Sequence, residues 1–301
     1  MAEKHGPHRH AHHDHRHQAT GATLKAAAAL TVGFAVIEAL GGWWTGSLAL
    51  VSDAGHMFTD GAALGLGALA AWVARRPPSR RHSYGFGRVE VLAAALNAAS
   101  MLVIVLLVAI EAFGRLKDPS EVDAETAAVI AFLGLVVNLA VLRWLSPHSH
   151  DLNARGAKLH VVGDVLGSVA ALAAAAIIAL TGWTRADPAA SLVICALITV
   201  SSVRLLREGV HALMEGVPHG LSVDELGREL AGVEGVVSVH DLHVWTLSGS
   251  RAALSAHVVV GSMAHWERTL RELQRLLHER YGIDHATLQP EPQRQTLVRY
   301  R

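Results

Sequence analysis

A single cysteine, Cys195, in a chain of 301 residues excludes an internal disulfide. It lies in the apolar stretch SLVICALITV and reads as a small core residue, because a buried free thiol behaves as a small hydrophobe. Charge is scarce as well: Asp, Glu, Lys and Arg make up 17% of the residues, against about a quarter in soluble domains. The two signs cancel to a formal net charge of zero, so bulk electrostatics offers nothing to a nucleic acid and no such partner is expected. Residues 1–20 are polar and His-rich rather than basic-then-apolar, so no secretory leader is read there. The metalloprotease pattern H-E-x-x-H is missing, which argues against a zinc hydrolase.

Apolar residues and histidine are in excess. Hydrophobic types make up 51% of the chain, mean hydropathy is +0.31, and histidine occurs 20 times. Six stretches, 24–44, 47–74, 89–113, 124–145, 157–181 and 187–208, each reach the roughly 20 apolar residues needed to cross a bilayer. Asn97, Gly134 and Asn138 fall inside them; small residues let helices approach closely, and amides bond across a bundle. Lys and Arg in the short loops set the orientation. Twelve of them (Lys4, Arg9, Arg16, Lys25, Arg75, Arg76, Arg80, Arg81, Arg88, Arg143, Arg155 and Lys158) fall on one side, against Arg115, Lys117 and Arg185 on the other. Both termini are therefore expected in the cytoplasm, as an even number of spans permits.

Past about residue 209 the texture changes. GVPHG marks a turn, and LSVDELGRELAGV reads as an amphipathic helix with Ser222 as its N-cap. VVSVHDLHVWTL and AALSAHVVV alternate as strands around the turn signal SGSR. Residues 264–280 form a second amphipathic helix, and DHATLQPEP a last short strand. The order α-β-β-α-β suggests a small α+β domain with helices on one face of a sheet. The division expected is a His-rich cytoplasmic tail (1–20), a six-helix membrane all-α bundle (21–209), a cytoplasmic α+β domain (210–292) and a C-terminal tail (293–301).

Inside the apolar stretches one pattern occurs twice: His56/Asp60 and His160/Asp164, each His-x-x-x-Asp. A spacing of four puts both side chains of a pair on one helix face, a turn apart. Asp60 and Asp164 would each cost several kcal/mol if ionised and unpaired in a bundle interior. A divalent cation removes that cost, and with two neutral imidazoles the site is formally neutral. Mixed nitrogen and oxygen donors favour Zn²⁺, Co²⁺, Ni²⁺ or Cd²⁺ over Mg²⁺ and Ca²⁺, and a four-ligand set favours Zn²⁺. The rival reading makes each pair a hydrogen-bonded couple that stabilises packing; two pairs at identical spacing argue against it. Asp53, one turn before His56, could orient the ligands, but reads first as a proton site or a helix-start residue at the lipid surface rather than a ligand.

These segments resemble a known family. SLALVSDAGHMFTD, RHSYGFGRVEVLAAALNA, DLNARGAKLHVVGDVLGSVAA, LMEGVP and HDLHVWTLSGSRAALSAHVVV are similar to the cation diffusion facilitators, heavy-metal transporters of which the bacterial zinc and cobalt–zinc–cadmium resistance members match best. The resemblance covers about residues 20–292. It implies a six-helix transporter with a cytoplasmic ferredoxin-like domain, a homodimer in the inner (plasma) membrane that exports metal in exchange for protons. It also implies that His56, Asp60, His160 and Asp164 form the transport site, that zinc is the substrate, and that neither an enzymatic activity nor an organic cofactor is involved. Ligation requires deprotonated groups, so metal and protons compete at such a site. Rocking of the second and fifth helices against the rest would supply alternating access.

Some members carry a further metal site in the loop between spans two and three. Here only His82 fits, with Ser79 and Phe86 at the other positions, and an intact site is not expected. In the cytoplasmic domain the resemblance implies regulatory metal near His240, His257, Gln289 and Glu291. Gln289 is the weak member, which leaves His240, His257 and Glu291; His243, His265, His278 and His285 read as surface or strand residues. Arg88 and Glu215 are placed either to pair at the membrane boundary or to stay solvated. The tail segment HGPHRHAHHDHRH, seven histidines in thirteen residues, reads as a loose metal-capture arm. Two other functions compete: a membrane-bound metal sensor and an intramembrane zinc metalloenzyme. Manganese or iron as substrate is disfavoured, since harder cations would want carboxylates in place of His56 and His160.

Overall fold

The computed structural model describes residues 29–145, 152–248 and 251–293; side chains at 64, 145, 152–160 and 248 fall outside that description. The His-rich segment 5–17 and most of the C-terminal tail also lie outside the described residues. Six helices come first: α1 (Ala29–Thr45), α2 (Leu48–Ala74), α3 (Arg88–Lys117), α4 (Ala124–Leu145), α5 (Leu152–Thr181) and α6 (Ala186–Leu213). The last five are long and apolar enough to cross a membrane, and α1 is apolar over its 17 described residues. Three helices run past the apolar stretches read from sequence. α3 continues to Lys117, α5 begins at Leu152 and α6 ends at Leu213, because hydropathy marks where a helix is buried in lipid and not where its backbone ladder stops.

Two compact units divide the chain: residues up to Gly65 together with Asn97–Val203, and Leu66–Leu96 together with residues from Arg204 onward. The core of the first is built largely of small side chains, among them Ala49, Ala127, Ala131, Ala171, Ala175 and Cys195 around Leu50, Met101 and Val105. Large apolar residues such as Leu106, Leu107, Ile110 and Trp44 point outward. That inversion suits a lipid surround, where helices associate through close packing of small residues and hydration drives nothing.

A buried acid ties two of these helices together. Asp187, in the first turn of α6, accepts from Ser47 Oγ at 2.5 Å and from the N–H groups of Leu48 (2.7 Å) and Ala49 (3.3 Å). These donors belong to the start of α2, where backbone N–H groups have no partner within their own helix. Asn138 on α4 donates to Ser168 on α5 at 3.1 Å, the cross-helix bond an amide inside a span can make.

In the second unit, α7 (Val223–Ala231) and α8 (Trp266–Tyr281) accompany a three-stranded sheet, β1 (Val236–Ser248), β2 (Arg251–Val260) and β3 (His285–Pro292). β2 is central, antiparallel to β1 and parallel to β3. Ser222 caps α7 by accepting from the Glu225 N–H, as its position before an amphipathic run predicts. Leu226 and Leu230 of α7 and Leu273 and Leu277 of α8, each pair four residues apart, are buried against Leu254 and Val258 of β2. Burying each such leucine contributes roughly 1.5–3 kcal/mol. The α-β-β-α-β order read from the sequence is the order observed.

Candidate metal centre

In the first unit α2 and α5 carry the paired pattern. His56 reaches in both directions: its Nδ1 lies 3.2 Å from Asp60 Oδ2, one turn along α2, and its Nε2 lies 3.6 Å from Asp164 Oδ1 on α5. Asp164 is completely buried, while 14% of the His56 side chain and 23% of Asp60 are exposed. One donor atom from each of the three lies within 4.8 Å of the others. His160 occupies α5 one turn before Asp164, but its side chain lies outside the described residues.

Asp53 is not at the lipid surface, which corrects one of the two roles read for it. Only 1% of it is exposed, and its Oδ2 accepts from Ser168 Oγ at 3.3 Å. α5 can pass this close because residue 167 is glycine: a Cβ there would collide with Asp53 Oδ1. Asn138, Ser168 and Asp53 thus form one polar chain across α4, α5 and α2. Behind it lies Glu38 of α1, fully buried. Sequence reasoning passed over Glu38 and Asp187. The one available signal was a lone acid within an apolar span.

The second group of donors lies on the sheet. His240 (β1) pairs in register with His257 (β2), and Glu291 (β3) stands diagonal to His257, two residues beyond its partner Gln289. Glu291 accepts from both imidazoles, at 2.7 Å from His257 Nδ1 and 3.1 Å from His240 Nε2. These contacts, His257 first and then His240, hold its carboxyl below the usual carboxylate range. The register slips between His240 and His243, where Asp241 adopts a left-handed φ of 52°. Aspartate tolerates that region better than most residues, and such bulges re-aim side chains. Here Asp241 Oδ2 comes within 3.8 Å of His257 Nε2 and Asp241 Oδ1 within 2.9 Å of His243. The His243 contact, ahead of the others, lowers the Asp241 carboxyl. His278 pairs with Asp284 at 2.5 Å, and His285 meets Tyr84 edge-on.

Of the remaining residues read from sequence, His82 packs at a tilt against Phe86, and its Nδ1 lies 3.4 Å from Ser79 Oγ. Arg88 and Glu215 do pair, at 3.1 Å.

Both sites combine imidazole nitrogen with carboxylate oxygen, the donor mixture of zinc-like ions. Known proteins bear on that reading. Residues 24–214 match the cation efflux transmembrane domain, and residues 218–293 match the cytoplasmic domain of cation efflux proteins. The zinc transporter ZitB of Escherichia coli is 42% identical over 268 residues, covering 88% of this chain and 85% of its own. The cadmium, cobalt and zinc/H(+)-K(+) antiporter of Bacillus subtilis is 38% identical over 286 residues, 93% of this chain and 91% of its own. The metal cation efflux system protein CzcD of Cupriavidus metallidurans is 39% identical over 282 residues, 93% and 89% respectively. Helices apolar enough for a bilayer, a small α+β domain behind them and both matched domains lead to one assignment: the chain is a multi-pass membrane protein of the cation efflux family, whose relatives are transporters and not enzymes.

Proposed function

We propose that this chain exports Zn²⁺, and with it Cd²⁺ or Co²⁺, from the cytoplasm in exchange for protons, holding the ion with His56, Asp60, His160 and Asp164. The observation that carries the reading is the convergence of His56, Asp60 and Asp164 from two helices on one point inside the bundle. A cation there is a substrate, bound where two carboxylates and an imidazole replace its hydration. Each ligand binds metal only when deprotonated, so a proton arriving from a more acidic side displaces the ion. Histidine titrates near neutrality, which makes a modest pH difference effective. The relatives' names, zinc transporter and cadmium, cobalt and zinc/H(+)-K(+) antiporter, support both substrate and coupling.

His240, His257 and Glu291 form a second, regulatory zinc site on the cytoplasmic sheet, with no organic cofactor involved. The protein works as a homodimer in the plasma membrane with both termini in the cytoplasm, as the loop charges favour. The test is zinc uptake into inverted membrane vesicles under an imposed pH gradient. Asp164→Ala should abolish uptake while the protein still inserts; uptake at the wild-type rate would sink the site assignment.

A further inference from the structure

Glu38 stands midway along α1 in the run AVIEAL, and none of it is exposed. Neither of its carboxyl oxygens has a hydrogen-bond partner among the described residues. α4 passes close to it because residue 134 is glycine: a Cβ there would stand 3.2 Å from Glu38 Oε1 and 2.8 Å from the Phe34 ring. One turn further along α4, Asn138 opens the chain through Ser168 to Asp53, and Asn138 Oδ1 and Asp53 Oδ1 also lack partners among the described residues. The acids that bear on Glu38 from the neighbouring helices are Asp53 of α2 and Asp164 of α5. α4 faces it with Gly134, while its own charged residues, Glu125 and Arg143, sit at the helix ends.

An acid enclosed by apolar helices and flanked by two further acids is costly as an anion. We propose that Glu38 is a proton site of the transport cycle, separate from the metal ligands. Its carboxyl holds a proton while the metal site is empty and releases it to water when a divalent cation binds beside Asp164. The coupling runs through charge and needs no contact. Two positive charges at Asp164 cancel the negative field that held the proton, the O–H bond breaks, the carboxylate remains, and the proton leaves for solvent. Departure of the metal restores the field, and the proton returns. This inference rests on the transport site proposed above.

The test is zinc-induced infrared difference spectroscopy on the purified full-length protein in nanodiscs, with zinc binding measured calorimetrically on the same samples. Wild type should lose the C=O stretch of a protonated carboxylic acid as zinc binds. E38Q should bind zinc without that loss and release fewer protons per zinc. E38D, which keeps an acid, should show the loss at a shifted frequency; if E38Q does not fold, E38D alone decides. Zinc binding by wild type with no change in that band, or the wild-type loss persisting at the same frequency in both variants, overturns the proposal. Failure of wild type to bind zinc at all overturns the transport-site reading and this inference with it.

Discussion

The bundle and the C-terminal sheet each bring histidine and carboxylate within ligand distance, but in opposite surroundings. Asp164 is fully buried between helices, whereas Glu291 is 36% and His240 50% exposed. In the bundle a four-residue helical spacing and one neighbouring helix do the gathering; on the sheet, strand register and a bulge at Asp241 do it. The donor chemistry is shared, so what separates the two is solvent. Charge left unmatched in the bundle must be answered by a metal or a proton, since low-dielectric surroundings supply nothing else. Charge on the sheet is screened by water and by two imidazoles, and it can fill or empty without that compulsion.

The sharpest way to break this comparison is to remove one carboxylate from each site. Loss of one partner from a buried charged set costs roughly 3–5 kcal/mol, about two to four decades in affinity. Asp164→Ala should therefore eliminate saturable zinc binding at the bundle along with transport. A second contrast concerns helix caps. Asp187→Ala leaves three donors at the buried start of α2 without an acceptor, and a loss of about 3 kcal/mol is expected at roughly 1–3 kcal/mol per orphaned group. Thermal unfolding of the purified protein in detergent would measure it, and an unshifted midpoint would contradict the clamp.

Smaller effects belong to the exposed side. Glu291→Gln should weaken zinc binding at the sheet by about tenfold, roughly 1.4 kcal/mol, and leave transport capacity in place. The same variant tests the sign of a pH effect. His257 and His240 hold the Glu291 carboxyl low, so its share of domain stability is complete above the unfolded-state value, about 4.3. That share disappears as pH falls through the lowered folded value. The acid limb of the tryptophan-fluorescence unfolding curve should flatten in Glu291→Gln; an unchanged limb would remove the imidazole contacts as its cause. Smallest is Ser222→Ala, which takes the cap from α7 where water can replace it. About 1 kcal/mol is expected from denaturant unfolding, a third of the loss at the buried cap.

What could be read in advance follows from where the information lies. His56, Asp60 and Asp164 were legible because their signal is local: two polar residues a helical turn apart in an apolar run. Ser222 before Val223 and the alternation in Ala252–Val260 are local signals too, and the cytoplasmic domain came out in its observed order. Glu38 and Asp187 carry only a weak local signal, a lone acid in an apolar span. Their partners are Gly134 on another helix and Ser47, 140 residues away, so a lone acid in a span looks the same with or without them. For Asp53 the lipid-surface alternative fails for the same reason. Only Gly167 and Ser168 of α5 show that its side of α2 faces inward.

The Asp187 cap also sets a fulcrum. Its carboxylate grips the first residues of α2, so a tilt of that helix that keeps the grip must turn about Leu48. His56 lies eight residues along, a lever arm of about 12 Å, and a swing of about 10° would carry it roughly 2 Å sideways. Against a separation of 3.6 Å between His56 Nε2 and Asp164 Oδ1, that stroke is enough to open or close the proposed ion seat. An acid on α6 thereby sets the point about which an imidazole on α2 would swing.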